Sequence, residues 1–70
     1  MNETITIQLN GDTMTVQRGT TITALLGALH IDPKRIAVER NRVVIRRCDH
    51  ATVGLDDGDE IEIVTFVGGG

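Results

Sequence analysis

The run that most constrains the fold comes at the end of the chain, Glu60-Ile-Glu-Ile-Val-Thr-Phe-Val67 followed by Gly68-Gly69-Gly70. Isoleucine, valine, threonine and phenylalanine favour a pleated, half-buried strand. Ile61 and Ile63 alternate with Glu60 and Glu62, which gives the strand one buried face. It is the most apolar strand candidate in the chain, so it is expected in the middle of a sheet with the first strand beside it. Glycine has the widest backbone freedom, so three in a row do not extend a strand. The expected object is a domain of residues 1–67 carrying a flexible tail of residues 68–70.

Val64 and Phe66 fall on the glutamate face of that strand, and Val67 lies beside them. Apolar side chains exposed next to a tail are a candidate docking surface. Because nothing branches from it, the tip Gly68-Gly69-Gly70 is suited to thread a narrow channel and present the Gly70 carboxylate to a nucleotide or a nucleophile. A fraying chain end has the same composition, so the weight of this reading comes from the rest of the chain.

Upstream, Thr4-Ile-Thr-Ile-Gln-Leu9 and Thr13-Met-Thr-Val-Gln-Arg18 alternate around Asn10-Gly11-Asp12. Asparagine and glycine accept positive φ, so the two strands form a hairpin. Ile22, Leu25, Leu26 and Leu29 then recur at helical spacing. Thr20 or Thr21 is placed to cap that helix, and Asp32-Pro33 ends it near His30. Gly27 inside the stripe costs roughly 1 kcal/mol relative to alanine, which implies a short helix or a close-packed face. Ile36–Arg40 and Val43–Arg46 are short strands joined by Asn41-Arg42, a second hairpin. The stretch from Arg46 to Gly54 is irregular, with Leu55 expected beneath it, and Asp56-Asp57-Gly58-Asp59 is a turn. These patterns predict one core of Ile5, Ile7, Val16, Ile22, Leu25, Leu26, Leu29, Leu55, Ile61 and Ile63, in an α+β arrangement with one helix across a mixed sheet.

Seventy residues allow a single small domain with a thin core. With one phenylalanine and neither tyrosine nor tryptophan, that core is aliphatic. The single cysteine excludes an internal disulfide. No histidine and cysteine cluster has metal-ligand spacing, no run is long enough to span a bilayer, and Met1-Asn-Glu-Thr4 has no signal-peptide character. A reducing, cytoplasmic location is therefore expected. His30 reads as a surface residue at the helix end. Cys48 and His50 share a loop with nothing in the sequence to fix their geometry, which is weak evidence for a nucleophile. The net charge of −3 hides a segregation: six of the seven basic residues lie between Lys34 and Arg47, and half the acids between Asp56 and Glu62. Both groups, including Arg40 to Arg47, are expected to orient the chain on charged partners. Without stacking aromatics, nucleic acid is disfavoured.

Val38-Glu39-Arg40-Asn41, Val43-Val44 and the whole of Leu55 to Gly70 resemble the ubiquitin-like, β-grasp sulfur carriers, and among them the carriers of bacterial thiamine (thiazole) biosynthesis. The resemblance spans essentially the entire chain. It departs at Ile45, where the family often has proline, and at Cys48-Asp49-His50, where it often has an aromatic residue. Thr65-Phe66-Val67 stands where the related small subunit of molybdopterin synthase tends to have prolines. The resemblance implies a protein co-substrate with no catalytic residues, metal or resident cofactor of its own. It implies that an E1-like enzyme uses ATP to adenylate Gly70, and that sulfur from a persulfide source such as a cysteine desulfurase converts it to a thiocarboxylate for thiazole synthase. It further implies that Gly68 and Gly69 thread the partner's channel while Val64, Phe66 and Val67 dock. A molybdopterin-synthase subunit, a ubiquitin-like modifier joined to lysines and a plain binding module are the alternatives.

Overall fold

A computed structural model describes residues 3–66. The first hairpin pairs β1 (Thr4–Leu9) with β2 (Asp12–Gln17), from Thr4 opposite Gln17 to Leu9 opposite Asp12. Asn10 and Gly11 both have positive φ, 48° and 87°, the condition for the tight turn whose twist matches paired strands. One helix follows, α1 (Ile22–Ala28), then β3 (Ile36–Arg40), β4 (Val43–Ile45) and β5 (Glu60–Thr65). The sheet order is β2-β1-β5-β3-β4. As expected, β5 is central and β1 is its neighbour. That pair is parallel, and β3 is antiparallel to β5, so the sheet is mixed.

Three orphan N–H groups of the first turn of α1 find acceptors outside the helical ladder, and Leu25 makes the first intrahelical bond. Ile22 and Thr23 donate to the carbonyls of Val53 and His50, Ala24 to the Thr21 hydroxyl, and Leu25 to the Thr21 carbonyl. Thr21 is thus the cap, and the loop before β5 is stitched to the helix. At the other end His30 donates to Gly27 and Ile31 to Leu26, a Schellman closure with His30 at φ 58° in the position usually held by glycine. A Cβ at Gly27 would meet nothing within 4 Å. Of the two explanations for that glycine, the short helix of seven residues is the one observed.

The buried core is Ile5, Ile7, Ile22, Leu25, Leu26, Ile36, Val38, Leu55 and Ile61. Three expected members, Val16, Leu29 and Ile63, only pack against it half-buried. Val16 is on the edge strand, Leu29 caps the helix, and Ile63 borders an open groove with Leu9, Leu29 and Ile31. Ile36 and Val38 were not expected there. They enter because β3 lies second from the sheet edge, between β5 and β4, and turns one face to the helix. Among the described residues no helix is long and apolar enough to cross a membrane.

Candidate functional site

β5 begins in a polar clamp. Asp59, 5% exposed, accepts hydrogen bonds from Arg40 Nε at 2.8 Å, Asn41 Nδ2 at 3.0 Å and the Asp56 amide at 2.8 Å. A second nitrogen of Arg40 reaches Asp56 at 2.9 Å. Burial pushes the Asp59 carboxyl up. The hydrogen bonds from the Asp56 amide, Arg40 and Asn41, aided by the guanidinium charge, outweigh it and hold the group below the ordinary aspartate value. The hydrogen bond to Asp59 likewise raises Arg40 above its ordinary value, against the opposing effect of burial. Arg40 was expected to face a partner. The structure corrects that: its side chain is 27% exposed and spent on two aspartates of its own chain.

Two turn asparagines complete the attachment of β5. Asn41 uses its side-chain oxygen to accept from the Glu60 amide at 2.9 Å and its own amide to donate to the Glu60 carbonyl at 2.8 Å. Asn10 brackets Ile63 with its side chain alone, Oδ1 accepting from the amide at 2.7 Å and Nδ2 donating to the carbonyl at 3.2 Å. The Asn10 side-chain amide thus stands in for a whole peptide group, whereas the Asn41 side chain supplies only the acceptor and its backbone N–H the donor. Turn propensity accounts for asparagine at both positions, but the bracing of β5 is a tertiary role that the sequence pattern did not reveal.

The outer face of the sheet is set by register. Ala37 lies opposite Val64, Glu39 opposite Glu62, and Val44 opposite Glu39. Val64 is 48% and Phe66 56% exposed, so an apolar strip runs over the C-terminal half of β5, with Glu60 and Glu62 toward its start and Val44, 62% exposed, in the same row as Glu39 and Glu62. Val64 and Phe66 are exposed as expected, and Val44 joins them. The Phe66 amide donates to the Arg35 carbonyl at 3.0 Å, and Phe66 borders a shallow groove shared with Pro33, Val44, Ile45 and His50. Val67 and Gly68 to Gly70, the remaining expected site residues, lie outside the described residues.

The loop histidine is not adrift. His50 is 4% exposed, its Nε2 is 3.2 Å from the Ile45 carbonyl oxygen, and its own carbonyl accepts from Thr23. It joins β4 to the helix, a structural role missed in the sequence because alternation does not extend into loops. Cys48 is exposed and free, separate from that buried ring. Among the described residues, no three His, Cys, Asp or Glu side chains converge on a metal site.

Comparison with known proteins adds four findings. A model of the ThiS family matches residues 7–70. The sulfur carrier protein ThiS of Bacillus subtilis is 43% identical over 65 residues, covering 91% of this chain and 98% of that one. A thiazole synthase from Paramagnetospirillum magneticum is 42% identical over 62 residues, 89% of this chain and 19% of that protein. The chain thus spans about a fifth of the length of the thiazole synthases it matches. The crystal structure of a thiamine biosynthesis protein (ThiS) from Geobacter metallireducens superposes with a TM-score of 0.83 at 32% identity, over 94% of this chain and 100% of that one.

Proposed function

Since the chain belongs to the ThiS family of β-grasp sulfur carriers, a co-substrate rather than a catalyst, we propose that it carries sulfur on Gly70 as a thiocarboxylate for thiazole formation in thiamine biosynthesis. A carboxylate is a poor electrophile. An E1-like enzyme would join it to the α-phosphate of ATP, releasing pyrophosphate and leaving an acyl-adenylate whose AMP departs readily. A persulfide, supplied by a cysteine desulfurase or an equivalent source, would then attack the acyl carbon and expel AMP. Cleavage of its S–S bond by a thiol leaves sulfur on the carrier as a thiocarboxylate. Thiazole synthase is the proposed acceptor. Support comes from relatives named thiazole synthase that carry a segment like this chain within a longer protein.

The observation that carries the reading is the end of β5. Val64 and Phe66 are exposed on a strand fixed at its start and aimed, through Phe66, toward Val67-Gly68-Gly69-Gly70. Adenylation demands in-line placement of the carboxylate, where a displacement of about 1 Å can cost 100-fold. Adding one residue after Gly70, or deleting Gly70, is expected to abolish ATP–pyrophosphate exchange with the cognate enzyme and leave the melting curve unchanged. Intact-mass measurement on protein from its native cell is expected to show replacement of one oxygen by sulfur. Branched conjugates to lysine would identify a modifier instead, and full exchange by the extended chain would sink the carrier reading.

A further inference from the structure

Four exposed cationic residues flank the exit of β5, two on each side. Arg35 shares a groove with Thr65, and its carbonyl receives the Phe66 amide. Lys34 precedes it on the same 3-10 turn, Pro33–Arg35. Across Phe66, Arg46 and Arg47 line the other groove. All four are exposed. Arg35 and Arg46 approach Asp32 and Asp49 at 3.8 and 3.6 Å, but the arginine side chains are 82% and 79% exposed, and such surface pairs hold their partners weakly. Even counting both acids, the ring keeps a net positive charge. On the outer sheet face, at the far end of the apolar strip, lie Glu39, Glu60 and Glu62.

We propose that Lys34, Arg35, Arg46 and Arg47 form an electrostatic collar that seats on an acidic rim around the channel of the adenylating enzyme. The proposal rests on the carrier reading above and assigns recognition to residues outside the tail. Chain length supports it. Four residues follow Phe66, and fully extended they span at most about 14 Å, so an extended tail puts the reacting carboxylate beyond the collar's reach. The collar therefore meets the mouth of the channel, while the nucleotide is met by glycine backbone alone. Charge complementarity favours a protein over a nucleic acid, since the three glutamates on the outer sheet face would repel a phosphate backbone laid along the strip. An apolar strip with opposite charge at its two ends also fixes one orientation on the partner, with the tail pointing inward.

The test is the combined variant Lys34→Glu, Arg35→Glu, Arg46→Glu, Arg47→Glu, with Arg46→Ala, Arg47→Ala as the milder companion. Both are assayed in ATP–pyrophosphate exchange with the cognate adenylating enzyme, after melting curves establish that they fold. Charge complementarity acts on encounter and orientation more than on chemistry. The reversal is therefore expected to raise KM for the carrier by roughly 10- to 100-fold, and the alanine pair by less, with kcat within about twofold of the parent. The association rate of the parent should fall as salt rises, and that of the reversed variant should not. An unchanged KM in a folded variant overturns the collar and leaves the carrier reading standing. Absence of exchange with the unaltered chain overturns the carrier reading and the collar with it. Retention of a labelled single-stranded RNA by the parent but not the variant would assign these cations to nucleic acid and overturn the proposal.

Discussion

At Glu60 and Ile61, β5 is gripped from both neighbours. Asn41 brackets Glu60 on the β3 side, the Asn10 amide donates to the Ile61 carbonyl on the β1 side, and Asp59 just ahead is buried under three hydrogen bonds. At Phe66 the ladder ends on one amide bonded to Arg35, and the side chain is more than half exposed. A strand held by both neighbours at its start and paired with β3 alone at Val64 and Thr65 keeps its direction while leaving the Val64 and Phe66 side chains exposed. For a carrier this separates two demands, a fixed point of emergence and an unencumbered tip.

Breaking the tied end should have the largest effect on the fold. In Asp59→Ala the Arg40 guanidinium keeps only Asp56, and the Asp56 amide and the Asn41 side chain lose their acceptor. Removing one member of a buried, hydrogen-bonded charge pair is expensive, and with Arg40 still partly solvated a loss of about 2–4 kcal/mol is expected in urea unfolding. The pH dependence has a definite sign. Asp59 has its carboxyl held below the ordinary aspartate value in the folded chain, so its stabilisation is complete above roughly pH 4 and drains away as pH falls through the lowered folded value. In Asp59→Ala that part of the acid dependence should disappear. A variant as stable as the parent would show that β5 is anchored elsewhere.

At the free end the expected effect is smaller and of another kind. Phe66→Ala should leave stability within about 0.5 kcal/mol, since the ring is largely in solvent. It should raise KM for the adenylating enzyme on the order of 10-fold, as loss of an aromatic anchor does at a protein interface. If unfolding moves and KM does not, Phe66 belongs to the domain and the division of β5 into two ends fails.

How far this division was readable in advance follows from the physics of each part. Period-two alternation located β1, β2 and β5, and helical spacing located α1, because both signals are local. The central place of β5 followed from its apolar run. Ile36 and Val38 escaped the expected core because a five-residue strand carries little pattern and its position second from the edge is a matter of topology. Arg40 and Asp59 were read as two charge clusters facing outward, since nothing in one dimension shows that a hairpin turn brings them to 2.8 Å. His50 was hidden in the same way. The exposure of Val64 and Phe66 was legible, because a phase shift between apolar and charged residues on one strand is a local feature.

The smallest effect tests whether the tied end is also relaxed. Asn10-Gly11 and Asn41-Arg42 are both two-residue turns with positive φ throughout, but the second has arginine at φ 69° where glycine is preferred. A residue with a Cβ in that region costs on the order of 1 kcal/mol. Glycine removes the strain but gives the unfolded chain more freedom, which returns about 0.4–1 kcal/mol. Arg42→Gly is therefore expected to raise stability by at most about 0.6 kcal/mol and the melting temperature by at most roughly 4 °C. The Asn41 brace on Glu60 should be unaffected, because its contacts come from the preceding residue. A melting temperature that falls would mean that the Arg42 side chain contributes contacts holding the turn against β5. The clamp would then extend one residue further than the hydrogen bonds of Asp59 and Asn41.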